Sequence, residues 1–599
     1  MHIQPTEELL SGRRQIDAFP KATILEDWQW NREVGSWYIR FSLNISSSNF
    51  LIIPNLTIWY LVVSHSYPDG SVKIYPAKDG GITQTFPHQS YNDFGNVNYP
   101  WRTGDLCLQH PLASLNHCQL DTEPMQASTR VLWHVKRAYD WLLEASKNQL
   151  IMPGEHFELP DVPKGASCKF VYVETEGDFS KWCNGNMPRW GVLKAGEIKK
   201  GGENILFADT FFDFSQEVVH KAEWGDSFKS CLGLSGIWIL LPQPFIQQPW
   251  TFPITFREFF SFSITHDKTI KDVIKTAISA IRSSRKIIIA IGFPIPEKFG
   301  DVAVRIHWQA ALVKNIASKP GNGFLPNEKG LWRTDRLRIF NDNQKIEWLK
   351  SRNWAQSELT SRGKLDESLL RLQVLLIGAG AIGAPLAEIL IRGGVRNIIV
   401  VDPEPIEIGN LVRHTLTMDS LGKPKAVELC SRLSALSPHV HAQAYDLELA
   451  NFLEEHPKQV NSVNLIIDCT ASNHCLKALA EMQLEREIPF VSLSIGFKAR
   501  RLYLYTCYGK SFPANDFFHK FLPFWEEEIK DQDSGSFPSE GIGCWHPVFP
   551  ARFDEMICWA SVSATTLNDV FNKGDCSNHL HVFERTIEHG LFSGIRKIQ

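Results

Sequence analysis

The run Leu372-Gln373-Val374-Leu375-Leu376-Ile377, followed at once by Gly378-Ala379-Gly380-Ala381-Ile382-Gly383, constrains this chain more than any other feature. The apolar run reads as a buried strand, and 384–391 carries the spacing of a helix, with Pro385 in the first turn where its missing N–H does no harm. Gly393-Gly394 ends that helix, and 397–401 reads as the next strand, ending at Asp402. A strand, a glycine turn, a helix and a second strand form a βαβ unit, which commits this part of the chain to a parallel sheet with helices packed on it.

The glycines also have a chemical reading. They leave backbone N–H groups at a helix N-terminus open to phosphate, and an acid about twenty residues on accepts from ribose hydroxyls. This much fits NAD as well as ATP, and a glycine turn serving only helix–strand packing is the plain alternative. The residues after Asp402 separate these readings: Pro403-Glu404-Pro405, then Asn410-Leu411-Val412-Arg413-His414, then Gly422-Lys423-Pro424-Lys425-Ala426. A dehydrogenase has no use for an Asn-x-x-Arg and a Lys just past its second strand. An enzyme that attacks the α-phosphate of ATP does, because charge grows on that phosphate and on departing pyrophosphate.

The stretch 374–426 resembles the ubiquitin-activating and ThiF/MoeB adenylyltransferases, whose pattern is a glycine loop, Asp-x-Asp/Glu, Asn-Leu-x-Arg and Lys-x-Lys-Ala. The resemblance implies ATP as cofactor, with Gly378, Gly380 and Gly383 in the phosphate loop and Asp402 on the ribose. It places Asn410, Arg413 and Lys425 on the triphosphate, the last two as catalytic cations. Ile466-Ile467-Asp468-Cys469-Thr470 resembles the family's next strand end, Asp-Cys-Thr-Asp-Asn. The second acid, commonly linked to magnesium, is Ala471 here, which leaves Asp468 as the expected Mg2+ residue. The family's Gln after Asn-Leu-x-Arg is His414, and the paired C-x-x-C of ThiF and MoeB is absent.

Two cysteines stand out as nucleophiles. Cys544, in Gly541-Ile542-Gly543-Cys544-Trp545-His546-Pro547, follows a polar stretch, 530–540, that reads as a flexible loop. It resembles the family's thioester cysteine. Cys107, in Gly104-Asp105-Leu106-Cys107-Leu108, comes after expected strands at 37–45, 56–63 and 71–75 and an irregular stretch at 86–101. A long helix capped by Ser128 or Thr129 follows, with Leu132, Val135, Tyr139, Leu142 and Ala145 on one face. Residues 20–150 thus resemble the ubiquitin-conjugating fold, although the usual His-Pro-Asn before the cysteine is missing and Phe86-Pro87-His88-Gln89 is the nearest feature. Cys430, Cys469 and Cys475 read as packing residues.

A chain of 599 residues suggests three or four domains. The divisions are 1–160, a ubiquitin-conjugating-like α+β domain; 161–345, an aromatic-rich linker domain with a helix at 270–282 and a strand at 286–291; and 346–599, a Rossmann-like α/β adenylation domain. A net charge of -4 offers no basic excess for nucleic acid, and no apolar stretch reaches the ~18 residues that span a bilayer. Twelve cysteines without a C-x-x-C, and no apolar signal core in the first twenty residues, point to a reducing cytoplasmic setting.

A conjugating domain first and an activating domain last resembles the bacterial conjugating–activating fusion enzymes encoded beside the synthases of CBASS antiphage systems. The resemblance implies the C-terminus of a cGAS-like CD-NTase as acyl donor, a lysine on a target as acceptor, and a homodimer. An enzyme for a bacterial ubiquitin-like protein is the alternative. A NAD-dependent oxidoreductase with a binding module is a third reading, from another class.

Overall fold

The computed structural model describes residues 4–45, 53–108, 123–163, 168–185, 189–265, 268–282, 286–533, 539–540, 546–547 and 550–599. Its contacts divide the chain into two compact units, Met1–Ala222 with Gly233–Asn353, and Glu223–Leu232 with Trp354–Gln599.

The first unit opens with helix Glu7–Ile16 and a four-stranded antiparallel meander, Ala22–Asn31, Ser36–Asn44, Leu56–Ser64 and Val72–Pro76, paired in chain order. Alternation decides its faces. Trp37, Ile39, Phe41 and Leu43 point inward with Trp59, Leu61 and Val63, and close a core with Val131, Val135, Ala138 and Leu142 of helix Ala127–Ser146. On the other face, Trp101 from the irregular stretch packs among Tyr38, Tyr60, Tyr75 and Tyr99. The long helix starts slightly earlier than its expected cap: Gln126 precedes it and offers no side-chain cap. Tertiary partners hold the first turn instead. The Tyr67 hydroxyl donates to the Ala127 carbonyl, and Arg130 reaches the Gly70 carbonyl at 2.8 Å.

The rest of this unit is an eight-stranded sheet ordered Ala303–Lys314, Lys286–Pro296, Leu232–Leu240, Trp190–Lys200, Glu203–Phe212, Lys169–Tyr172 and Lys350–Asn353, with Val218–Lys221 paired off this path. The expected helix is present as Ile270–Ala280, and the expected strand runs on to Pro296 because Ala303–Lys314 pairs with its whole length.

The second unit is a mixed eight-stranded sheet, ordered His441–Tyr445, Asn397–Val401, Gln373–Ile377, Leu465–Asp468, Ile488–Ile495, Arg501–Gly509, His579–Glu588 and Leu591–Lys597. The first five are parallel and the last three antiparallel. The apolar run 374–377 is buried on both faces. Val374 and Leu376 join a core with helices Gly383–Arg392, Lys425–Leu436 and Phe553–Lys573, while Leu375 and Ile377 join the opposite core. From Gln373–Ile377 the sheet grows both ways, through Asn397–Val401 on one side and Leu465–Asp468 on the other. Such a switch point opens a crevice at the carboxyl ends of the strands.

Two features depart from expectation. Residues 530–533 end helix Ala514–Asp533 rather than belonging to a loop, and 534–538 lie outside the described residues. Glu223–Leu232, from within the expected linker domain, packs as part of the second unit. The Gly225 N–H donates to the Pro438 carbonyl at 2.7 Å, and Trp224 stacks on His439 with centroids 5.6 Å apart.

Candidate functional site

The crevice holds a cavity of about 610 Å³, the size of a small-molecule site. Gly378, Gly380, Asp402, Asn410, Arg413 and Lys425 line it, with Ile382, Leu449, Thr470, Ser472 and Met556 among its other walls. Six of the sequence-named residues, spread over 378–425, thus meet at one place.

The three glycines have three different tasks. Gly378 turns the chain off the strand with φ +88°, and a Cβ there would lie 2.9 Å from Thr470 Cγ2. A Cβ on Gly380 would meet nothing within 4 Å, so this is where a ligand can approach the backbone. Gly383 is absent from the lining. It begins the helix, and a Cβ on it would sit 2.0 Å from the Gly378 carbonyl oxygen, so its glycine serves helix–strand contact. Gly383→Ala should destabilise the second unit by about 1–3 kcal/mol, because the clash is with backbone that cannot swing aside. Calorimetry of the full chain checks this, and an unchanged transition temperature would show that the loop yields freely.

Asp402 is buried at the end of its strand. Its Oδ2 accepts from the Ala379 N–H at 2.7 Å and its Oδ1 from the Glu404 N–H at 2.8 Å, so it ties the glycine loop to the segment that follows. Burial pushes its carboxyl above the usual range, and the two N–H groups and Lys425 pull it back. Lys425, also buried, begins helix Lys425–Leu436 and pairs with the carboxylate of Glu404, which is largely in solvent. Asn410 closes a tight turn by accepting from the Glu407 N–H at 3.0 Å, and the Arg413 N–H donates to the Asn410 carbonyl at 3.0 Å. His414 locks this turn to the glycine loop. Its Nε2 bonds the Ala379 carbonyl at 2.6 Å, and its Nδ1 accepts from the Leu416 N–H at 3.1 Å. That pair of bonds fits the neutral ring protonated on Nε2, and burial lowers its pKa accordingly.

Asp468 lies under the cavity, not on its lining. Oδ1 accepts from the Thr470 N–H and hydroxyl at 3.1 and 2.6 Å, and Oδ2 accepts from the Ser492 hydroxyl at 2.9 Å. Its carboxylate is spent on holding Thr470 at the cavity wall. Among the described residues no group of three or more His, Cys, Asp or Glu side chains is placed to hold a metal ion. With both Asp468 oxygens already engaged, the described residues do not by themselves hold a resident magnesium ion. The nucleotide fits better: an open backbone approach at Gly380, buried Asp402 and Lys425, and a cavity of suitable size.

In the first unit, Cys107 is exposed and not in a disulfide. The Gln89–Leu106 bridge fixes its place, and its N–H donates to the His88 carbonyl at 2.9 Å. Cys544 lies outside the described residues. Cys430 and Cys469 are buried with thiols pushed up by burial, Cys430 to about 12. Cys475, read as a packing residue, is half-buried and lines the nucleotide cavity.

Sequence reasoning missed the parts played by Glu404, His414 and Thr470. The first two carried a signal, as the second acid of Asp-x-Glu and as the residue replacing the family's Gln.

Residues 148–354 match the family described as the Cap2 central linker domain, and residues 351–523 match the ThiF family. Over 569 residues the chain is 30% identical to the ATP-dependent ubiquitin transferase-like protein Cap2 of Enterobacter hormaechei subsp. hoffmannii, covering 93% of each chain. It is 34% identical over 105 residues to the sulfur carrier protein adenylyltransferase of Thermus thermophilus, covering 17% of this chain and 38% of that protein. To the molybdopterin-synthase adenylyltransferase of Escherichia coli it is 30% identical over 132 residues, 21% of this chain and 50% of that protein. With a ThiF adenylation domain built around an ATP-sized cavity, a Cap2 linker domain, and likeness to a Cap2 protein along nearly its whole length, this chain belongs to the Cap2 family of ATP-dependent ubiquitin transferase-like enzymes.

Proposed function

We propose that this enzyme activates the C-terminus of a CD-NTase with ATP and passes it, through thioesters on Cys544 and then Cys107, to a lysine amine on a target. One observation carries the reading: a glycine loop open to phosphate, lined by Asp402, Asn410, Arg413 and Lys425, in a chain that also presents an exposed Cys107.

In the first step an oxygen of the donor's terminal carboxylate attacks the α-phosphorus of ATP. The bond to the bridging oxygen breaks, giving an acyl adenylate and pyrophosphate, and any divalent ion arrives on the nucleotide as part of the substrate. Arg413 and the ammonium of Lys425 meet the charge that builds on the phosphates, from positions set before the reaction. The Cys544 thiolate then adds to the acyl carbon and AMP leaves. The Cys107 thiolate displaces Cys544, and a neutral lysine amine displaces Cys107, its lost proton going to the departing sulfur, which yields an amide and the Cys107 thiol. Two thioesters divide one difficult acylation into easier ones.

The CD-NTase as donor, and antiphage signalling as the setting, rest on resemblance to the CBASS-encoded fusion enzymes. The same resemblance supports a homodimer, while the cysteine usage, the near-neutral charge and the lack of a long apolar stretch support a cytoplasmic setting without nucleic-acid or membrane partners. No helix among the described residues is long and apolar enough to cross a membrane.

The test is ATP–pyrophosphate exchange with purified CD-NTase. Exchange should require the intact C-terminus and vanish when its last few residues are removed. Exchange that ignores the truncation sinks the donor assignment, and exchange seen only with a small ubiquitin-like protein establishes the alternative donor.

A further inference from the structure

Cys107 does not stand on an open surface. It lines a cavity of about 430 Å³ whose other walls, among the described residues, come from the irregular stretch carrying His88 and from segments of the linker domain. Those segments are 158–162, strand Ala303–Lys314 through His307 and Gln309, and edge strand Lys350–Asn353.

Glu158 grips His88 twice. Its Oε2 meets His88 Nδ1 at 3.0 Å and also accepts from the His88 N–H at 3.3 Å. His88 adopts φ +55°, a left-handed conformation that a residue with a Cβ takes up only when its surroundings hold it there. Its carbonyl is the group that accepts from the Cys107 N–H. The linker domain, through Glu158, thereby sets the residue on which the cysteine's backbone hangs.

The charges around this cavity are unequal. Glu158 is matched by His88, whose ring it favours in the protonated form, with Glu155 adding to the effect. Asp105, two residues before Cys107, pairs with Lys73 at 3.0 Å. His307 is buried between the Tyr172 hydroxyl at 3.0 Å and Gln309 at 3.3 Å, and burial lowers it to about 4, so it stays neutral. Asp161 remains as the one further acid on the lining among the described residues. Against it stand Lys350 and Arg352, two residues apart on one face of the edge strand, both exposed and neither in an ion pair among the described residues. Arg137, on the long helix, donates to the Leu108 carbonyl at 3.2 Å, next to the cysteine.

We propose that the linker domain completes the Cys107 site: Glu158 positions His88, Lys350 and Arg352 supply the opposing wall, and the excess of cations holds Cys107 toward its thiolate. Cations beside a cysteine favour loss of the Sγ proton to solvent, and the thiolate is the form that attacks a thioester. His88, Glu158, Lys350 and Arg352 act as positioning residues through Cys107. The inference rests on the reading of Cys107 as the acyl-carrying cysteine, and it gives the linker domain a chemical task.

Alkylation of the full-length enzyme by iodoacetamide, followed at the Cys107 peptide by mass spectrometry across pH, tests it without any substrate. The wild-type profile should turn over below the value of about 8.5 for an unperturbed cysteine. At pH 7 the rate should fall about 3- to 10-fold in H88Q and in K350E/R352E, matching a rise of half to one pH unit, with a smaller fall in E158Q. At high pH, where the thiol is fully ionised, all rates should converge, which a merely structural loss would not produce. K350E/R352E lies on the far wall and keeps the test valid where H88Q disturbs folding. Profiles that superimpose on wild type, or a wild-type midpoint at or above 8.5, overturn the inference. Whether Cys107 carries an acyl group is read separately from the trapped thioester, so a normal thioester with superimposed profiles removes this inference and leaves the transfer role standing.

Discussion

Lys425→Met should lower ATP–pyrophosphate exchange on the order of 10²–10³-fold while leaving the protein folded, and Arg413→Ala should match it. On the proposed mechanism each removes one donor to charge that grows only as the α-phosphate is attacked, and one such donor typically contributes that much. Methionine keeps the apolar stem of the buried lysine and removes only the ammonium. The partner left behind, Glu404, is largely solvated, and buried Asp402 keeps its bonds from the Ala379 and Glu404 N–H groups, so the loss of stability should be about 1 kcal/mol. Asp402 is a less clean probe: Asp402→Ala should abolish exchange as well, but its carboxylate holds the N–H groups of Ala379 and Glu404, and their loss would disturb the loop itself. Exchange at the wild-type rate in Lys425→Met and Arg413→Ala would remove the cavity from the mechanism.

The cysteines should separate into an order. With donor and ATP, Cys544→Ala should accumulate acyl adenylate and form no thioester anywhere, whereas Cys107→Ala should hold a reducible thioester on Cys544. Conjugate to the target should be lost in both. The order follows from the proposed chemistry: Cys544 takes the acyl group from the adenylate, and the resulting thioester is reactive enough to be passed to a second thiolate. Intact-mass measurement of the trapped enzyme, with peptide assignment of the modified cysteine, reads it directly. Acyl found on Cys107 in Cys544→Ala would reverse the sequence of transfers.

Legibility in the sequence followed the range of the forces. Strand Asn397–Val401 occupies the residues its pattern predicts, and Gln373–Ile377 starts one residue inside its expected span. A continuous apolar run between a glycine turn and polar residues has one stable use, a strand buried on both faces. The linker sheet was nearly illegible beyond one helix and one strand. Its order places Leu232–Leu240 beside Lys286–Pro296 and Lys169–Tyr172 beside Lys350–Asn353, pairings between distant segments that no short motif announces. The same limit hid the packing of Glu223–Leu232 with the adenylation sheet, where His439 Nδ1 bonds the Glu223 carbonyl across 216 residues.

By itself the sequence determined the βαβ unit and the choice of residues offered to a nucleotide, and it named the two cysteines proposed as carriers, because strand, turn and helix preferences act over a few residues and the spacing of Gly, Asp, Asn, Arg and Lys sits within one such stretch. Tertiary structure decided which of those residues line the cavity. Gly383 and Asp468 share the motif with Gly380 and Lys425, yet a carbonyl 2.0 Å from the site of a Cβ makes one a packing residue, and bonds to Thr470 and Ser492 turn the other into a brace. It also decided the surroundings of Cys107, since His88 and Glu158 lie 70 residues apart and only folding brings a carboxylate to a histidine at 3.0 Å. Hydrogen bonds and charges act over a few ångströms, so their partners are chosen by where the whole chain has already been packed.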